Sequence, residues 1–293
     1  MNWTPDQKEK LLKLMKLREY LKITHAINPL KLFIPFDYQM VLLKSMKKYL
    51  LMLTSNRLGK SDWLTYDLSL YATGQHPYHK TPRNAVTWIS VENNDKIPQV
   101  LYPKFRDRLG PQGSRWEYNE NKKTIYVRCG TNNWSEIVFK SEQAERLSKG
   151  TYEGSKIHRL GFDEVPSEDI FNKAIIRTID TKAQILVAAT TWEETMFWLY
   201  DRFVVPIIEG KPEAQDIELV GRDLPMEANP MLDKKEVAEQ RRICALKNPD
   251  EASVRFDGKI LPLSGRMLFN SRALNRYEED AREPELCEFC MEG

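Results

Sequence analysis

Tyr49-Leu50-Leu51-Met52-Leu53-Thr54-Ser55-Asn56-Arg57-Leu58-Gly59-Lys60-Ser61 is the stretch on which the reading of this chain turns. It opens with an apolar run of strand length. A polar turn follows and closes on Gly-Lys-Ser, and Asp62-Trp63-Leu64-Thr65-Tyr66 continues in a helical pattern. Strand, tight loop and helix in that order form a cradle for phosphate. Backbone N–H groups of the loop and the positive end of the helix stabilise the negative charge. Ser55, Asn56, Arg57, Leu58 and Gly59 would wrap the phosphates, Lys60 would reach the terminal ones, and the Ser61 hydroxyl would face Mg2+. Thr54 stands where the usual Walker A pattern begins with glycine.

A second segment completes the chemistry. Ile157-His158-Arg159-Leu160-Gly161-Phe162-Asp163-Glu164 is an apolar-rich strand ending in two carboxylates. It lies about a hundred residues further on, a spacing that fits one α/β domain. Asp163 would hold Mg2+ opposite Ser61, the Walker B role. Glu164 would polarise the attacking water as general base. Upstream, Gln39 sits among Phe36 and Tyr38, where its amide can read an adenine edge while a ring packs the base. The surface alternative for Gln39 is a solvated residue before a helix.

Bulk properties narrow the classes. Lys+Arg 44 against Asp+Glu 42 gives a net charge of +2, so any contact with nucleic acid must come from local patches or from a ring of subunits. Hydrophobic residues at 41% and charged ones at 29% are ordinary for a globular protein. No apolar run is long enough to span a bilayer. Cys129, Cys244, Cys287 and Cys290 do not form a disulfide framework in a chain this long. Cys287-Glu288-Phe289-Cys290 has zinc-like spacing, but structural zinc needs four ligands, and ordinary thiols are the favoured reading.

Strands and helices alternate along the chain. An amphipathic helix is expected from Pro5 to Ile23, packed on the domain core; a membrane-surface helix is the alternative. A buried strand at Ala85–Val91 leads to a helix ending at Leu109. Short runs at Arg115–Tyr118, Thr124–Arg128 and Glu136–Phe139 read as antiparallel edge strands, and Ile185–Thr190 as another buried strand. Lys234–Leu246 reads as a helix, and Arg255–Leu263 as containing a short strand. The fold class is therefore α/β, a P-loop NTPase with a mostly parallel central sheet covered by helices on both faces, plus antiparallel edge strands. Residues 1–265 would form the ATPase domain, with 1–32 as a helical segment packed on it, and residues 266–293 a linker.

Taken together, Ser55–Ser61, Phe162-Asp163-Glu164-Val165-Pro166, Thr190-Thr191, the run from Lys140 through Gly150 to Asp180, and Asn229-Pro230 resemble the large terminase subunit of tailed bacteriophages. The resemblance covers most of Phe33–Leu263. It implies an ATPase that drives double-stranded DNA into a procapsid, working as a ring on a portal protein with a small terminase subunit, in the cytoplasm of the infected host. It implies ATP and Mg2+ as ligands and assigns Gln39 to adenine. Thr190 and Thr191 become the coupling motif that senses the terminal phosphate. It also implies an arginine finger, either Arg57 in cis or Arg146 in trans. Large terminases usually continue into a nuclease domain, toward which 266–293 would lead, and nuclease activity is not expected of these residues. The alternatives are a helicase-type DNA translocase, which shares the loop, the carboxylates and the glutamine, and a structural packaging subunit that binds nucleotide without hydrolysing it.

Overall fold

The apolar run at the head of the decisive stretch becomes a strand whose residues alternate between two cores, and that alternation organises the sheet. A computed structural model describes residues 4–113, 115–130, 133–154, 156–190 and 197–259. Helix α1 covers Pro5–Ile27, α2 Asp37–Lys44, β1 Tyr49–Thr54 and α3 Lys60–Ala72. Then come β2 (Val86–Val91), α4 (Tyr102–Leu109), β3 (Trp116–Asn119), β4 (Thr124–Arg128) and β5 (Trp134–Ser141). The next elements are α5 (Glu142–Leu147), β6 (Arg159–Asp163), α6 (Glu168–Ile176) and β7 (Gln184–Thr190). The rest comprises α7 (Phe197–Leu199), α8 (Val205–Glu209), β8 (Ile217–Val220), α9 (Lys234–Lys247) and α10 (Pro249–Asp257).

The strands form one eight-stranded sheet in the order β3-β4-β5-β2-β6-β7-β1-β8. From β5 to β8 every neighbour is parallel, and β3 and β4 add antiparallel pairing at one edge. The architecture is the expected α/β one. Leu50 and Met52 of β1 face a core shared with Trp63, Leu64 and Leu68 of α3. Leu51 and Leu53 face the opposite core with Phe162, Ile170 and Phe171. A strand buried on both faces must be apolar throughout, which explains why β1 reads as a continuous run rather than an alternating one.

Helix α3 lies on β6 in three steps. Ser61 Oγ donates to Asp163 Oδ1 at 2.6 Å. One helical turn on, Leu64 rests on Gly161, where a Cβ would come within 2.9 Å of Leu64 Cδ1. A turn further, Arg159 donates to both oxygens of Asp67, at 2.5 and 2.7 Å. Both partners of that last pair are buried. Burial pushes the Asp67 carboxyl up, but Arg159 and His76 beside it hold it down at about 2. Asp67→Asn would leave a buried guanidinium without its counter-charge, and we expect a loss of about 3–5 kcal/mol. Urea denaturation measures it; a loss below about 1 kcal/mol would mean that the pair contributes nothing net. Because the folded pKa lies below the unfolded value of about 3.9, this contribution is complete above that pH and disappears as the pH falls toward 2.

Three expectations need correction. Helix α1 does not pack on the core: Leu12, Leu14, Met15, Leu17, Tyr20 and Ile23 are all at least 50% exposed. Its apolar residues at 100° steps fall all round the helix, so no single stripe can be laid on the body. Its C-terminal end is held by Arg115 donating to the Ala26 and Ile27 carbonyls. Second, no strand forms at Arg255–Lys259, the described part of that expected strand. Residues 249–257 are α10, started by Asn248 accepting the Glu251 N–H with Pro249 at the first position, and stopped by left-handed Gly258. Third, β8 adds a parallel edge strand beyond β1, in a stretch with no strand expectation. Residues 266–293, Cys287 and Cys290 among them, lie outside the described residues.

Candidate functional site

The loop between β1 and α3 takes two left-handed residues, Arg57 with φ 62° and Gly59 with φ 71°. Glycine fits its place: a Cβ there would stand 3.0 Å from Gln39 Nε2. From one side α2 braces the loop. Gln39 is buried, its amide nitrogen donating to the Gly59 carbonyl at 3.1 Å and its oxygen accepting the Phe36 N–H at 2.9 Å. Tyr38 donates its hydroxyl to the Leu58 carbonyl at 3.1 Å. The residue read as an adenine contact is thus placed against the phosphate loop, with its amide oxygen already engaged.

From the other side the chain after β8 holds the same loop. The Asn56 N–H donates to the Arg255 carbonyl at 2.8 Å. Ser55 Oγ donates to the Leu224 carbonyl at 3.0 Å, and Asn229 Nδ2 to the Arg57 carbonyl at 2.6 Å. Loop backbone that is fixed on both sides keeps its remaining N–H groups aimed in one direction, as an anion cradle requires.

Lys60 begins α3 and is buried, donating to the Ser55 carbonyl at 2.8 Å. Burial lowers its pKa to about 8, against the pull of Glu164 and Asp163, which raise it. An ammonium that loses its proton near pH 8 loses its attraction for phosphate there. We expect ATP affinity to fall as the pH rises above about 8, up to tenfold per unit, and Lys60→Arg to abolish that slope. Calorimetric titration at pH 7, 8 and 9 measures it; a flat profile would contradict the assignment.

Asp163 ends β6 and is buried. Burial raises its pKa, the Ser61 hydroxyl bond lowers it, Glu164 raises it, and Lys96 and Lys104 pull it down. Glu164 follows in a left-handed conformation, φ 79°. Its N–H donates to the Ala188 carbonyl at 3.0 Å, and its Oε2 accepts the Thr190 N–H at 3.4 Å. Thr190 Oγ1 in turn donates to Asn56 Oδ1 at 2.9 Å. Asn56, Thr190 and Glu164 thereby link the loop, the end of β7 and the carboxylate pair. Thr191 lies outside the described residues.

The two arginines are placed differently. Arg57 lies on the loop itself and is exposed. The Arg146 side chain is 75% exposed on α5 and meets Glu142 of its own helix at 3.6 Å. Helix α5 follows β5, four strand places from β1 in the sheet, which at about 4.8 Å per strand is about 19 Å.

Among the described residues no group of three or more His, Cys, Asp or Glu side chains could hold a metal. The touching Ser61 and Asp163 oxygens form instead a hard donor pair, which suits Mg2+ shared with phosphate oxygens. Asp62, which follows Ser61 and accepts from Lys104 and Arg108 of α4, escaped the sequence reading as part of this site. Nothing in the spacing of the three signals it, because the contacts join separate helices.

No curated protein matches the sequence closely enough to count as a relative. The family described as "Terminase large subunit, T4likevirus-type, N-terminal" matches residues 51–275. Among solved structures, the bacteriophage HK97 large terminase superposes with a TM-score of 0.60 at 13% identity, over 83% of this chain and 54% of that one. A mutant ATPase domain of the Thermus phage P74-26 large terminase gives 0.58 at 14%, over 79% and 96%. The large terminase of the thermophilic bacteriophage D6E in complex with ADP gives 0.58 at 14%, over 77% and 53%. The chain therefore spans about half the length of the HK97 and D6E proteins and nearly all of the P74-26 domain. At such identities the likeness is one of fold. The family match covers most of the sequence, however, and on it the chain belongs to the T4-like large terminases, as their N-terminal region.

Proposed function

We propose that this chain is the ATP-hydrolysing motor domain of a viral packaging terminase, coupling hydrolysis to the translocation of double-stranded DNA into a procapsid. The observation that carries the reading is the Ser61–Asp163 contact of 2.6 Å, with buried Lys60 in the field of both acidic residues. One sheet edge thus collects an ammonium, a hydroxyl and two carboxylates behind a loop of backbone donors.

In the reaction ATP lies with its phosphates along Asn56–Ser61, and Lys60 turns from the Ser55 carbonyl to the terminal phosphates. Ser61 and Asp163 would hold Mg2+, which neutralises phosphate charge when bound. Glu164 takes a proton from the water that attacks the terminal phosphorus, and the bond to the bridging oxygen breaks in line with it. Thr190, bonded to both Asn56 and Glu164, would register the loss of the terminal phosphate and pass it to the end of β7. Gln39 would add its second N–H to the adenine edge. A ring of such subunits on a portal protein, with a small terminase subunit, in the host cytoplasm, is the working assembly we infer. Among the described residues no helix is long and apolar enough to cross a membrane.

Phosphate release from ATP tests the reading. The parent chain should hydrolyse ATP in the presence of Mg2+, and Lys60→Ala should abolish hydrolysis and weaken nucleotide binding. Nucleotide binding without release by the parent, alone or with DNA, would favour the structural-subunit alternative.

A further inference from the structure

Lys104 on α4 donates to Asp62 Oδ2 at 2.7 Å, and Arg108, one turn on, donates to Oδ1 at 3.2 Å. Asp62 directly follows Ser61 in the first turn of α3. One carboxylate therefore carries two cations. A surplus positive charge is left at the N-terminal turn of the helix that receives the phosphates. The carboxylate alone would repel a triphosphate at that position, so one cation is needed to neutralise it. Arg108 is the fixed one: its guanidinium lies 4.0 Å over the Phe33 ring and its side chain is 17% exposed. Lys104 is the movable one, 28% exposed, with a single ion-pair partner among the described residues and a flexible four-carbon stem. Asp62 is the chain neighbour of Ser61, whose hydroxyl meets Asp163 at 2.6 Å, so Lys104 is held beside the turn that would receive the terminal phosphate.

We propose that Lys104 is a second phosphate-contacting lysine of this site, parked on Asp62 in the free protein and drawn to the terminal phosphate when ATP binds. The inference rests on the ATPase reading above. Arg108 stays with Asp62 as Lys104 leaves, so no carboxylate is uncovered. The competing role is a strut between α3 and α4, in which Lys104 and Asp62 would be equivalent partners.

Lys104→Met keeps the stem and removes the charge; Asp62→Asn removes the parking place. Binding of ADP and of ATPγS to the full chain with Mg2+ should separate the two roles. For Lys104→Met we expect ATPγS affinity to fall about ten- to a hundredfold and turnover to fall with it. ADP affinity should stay within twofold and the melting temperature near that of the parent. Asp62→Asn should leave ATPγS affinity equal or higher. Equal losses for both nucleotides, or matching losses of melting temperature in the two variants without discrimination between nucleotides, would overturn the proposal in favour of the strut. Failure of the parent to bind either nucleotide would overturn the ATPase reading itself.

Discussion

Glu164→Gln is expected to bind ATP as the parent does and to hydrolyse it about 10²–10⁴-fold more slowly. The geometry explains why affinity and turnover should separate. Glu164 occupies a left-handed backbone position, φ 79°, that most residues avoid. It is held there by its own N–H on the Ala188 carbonyl. Its side chain accepts the Thr190 N–H, a bond that the glutamine oxygen can make equally well. Shape, backbone and contact to β7 thus survive the substitution. What disappears is the capacity to take the proton of the attacking water. Lys60, Ser61 and Asp163, which would carry the affinity, are untouched. Single-turnover hydrolysis beside equilibrium binding gives both quantities. Hydrolysis within threefold of the parent would remove Glu164 from the role of base.

Legibility in the sequence followed the range of each interaction. The β1–loop–α3 unit is local: an apolar run, a glycine that must take φ 71°, a lysine and a serine at fixed offsets. The Asp163-Glu164 pair is local too, and the fold class follows from how such units alternate. Helix α1 was legible as a helix, but its position was not. Helical spacing shows where apolar residues lie, not whether the body has a surface to take a ring of them. Strand β8 is four residues, Ile217–Val220, with only Ile217 fully buried, and pairing with β1 is what makes it a strand. In α10 the helix signals are local, the Asn248 cap, Pro249 at the first position and left-handed Gly258 at the end, and they prevail over the strand expected from Arg255. The braces from Leu224, Asn229 and Arg255 onto the loop mostly use backbone groups. Backbone groups leave no mark in a sequence, so only the Asn229-Pro230 pair stood out there. Lys104 escaped for a related reason: it meets Asp62 across two helices, 42 residues apart.

Arg146→Ala should leave an isolated subunit unchanged and slow the assembled ring by about 10³–10⁵-fold. The arginine that covers the developing charge in phosphoryl transfer supplies factors of that size, and two residues compete for the role. Arg57 stands on the loop and is exposed, so it would act within its own subunit, and Arg57→Ala should slow monomer and ring alike. Arg146 stands four strand places away, with its side chain in solvent and only Glu142 of its own helix as a partner among the described residues. Three strands, β2, β6 and β7, separate β5 from the strand that carries the phosphate loop. The same exposure suits a side chain that enters the site of a neighbour. Mixing the two defective forms distinguishes the cases. An Arg146→Ala subunit keeps an intact Glu164, and a Glu164→Gln subunit keeps an intact Arg146. In a mixed ring the second can place its arginine on the nucleotide of the first, so some hydrolysis should return, rising and then falling with the ratio of the two. If rings form and no ratio restores activity, Arg146 does not act across the interface and Arg57 becomes the source of the charge.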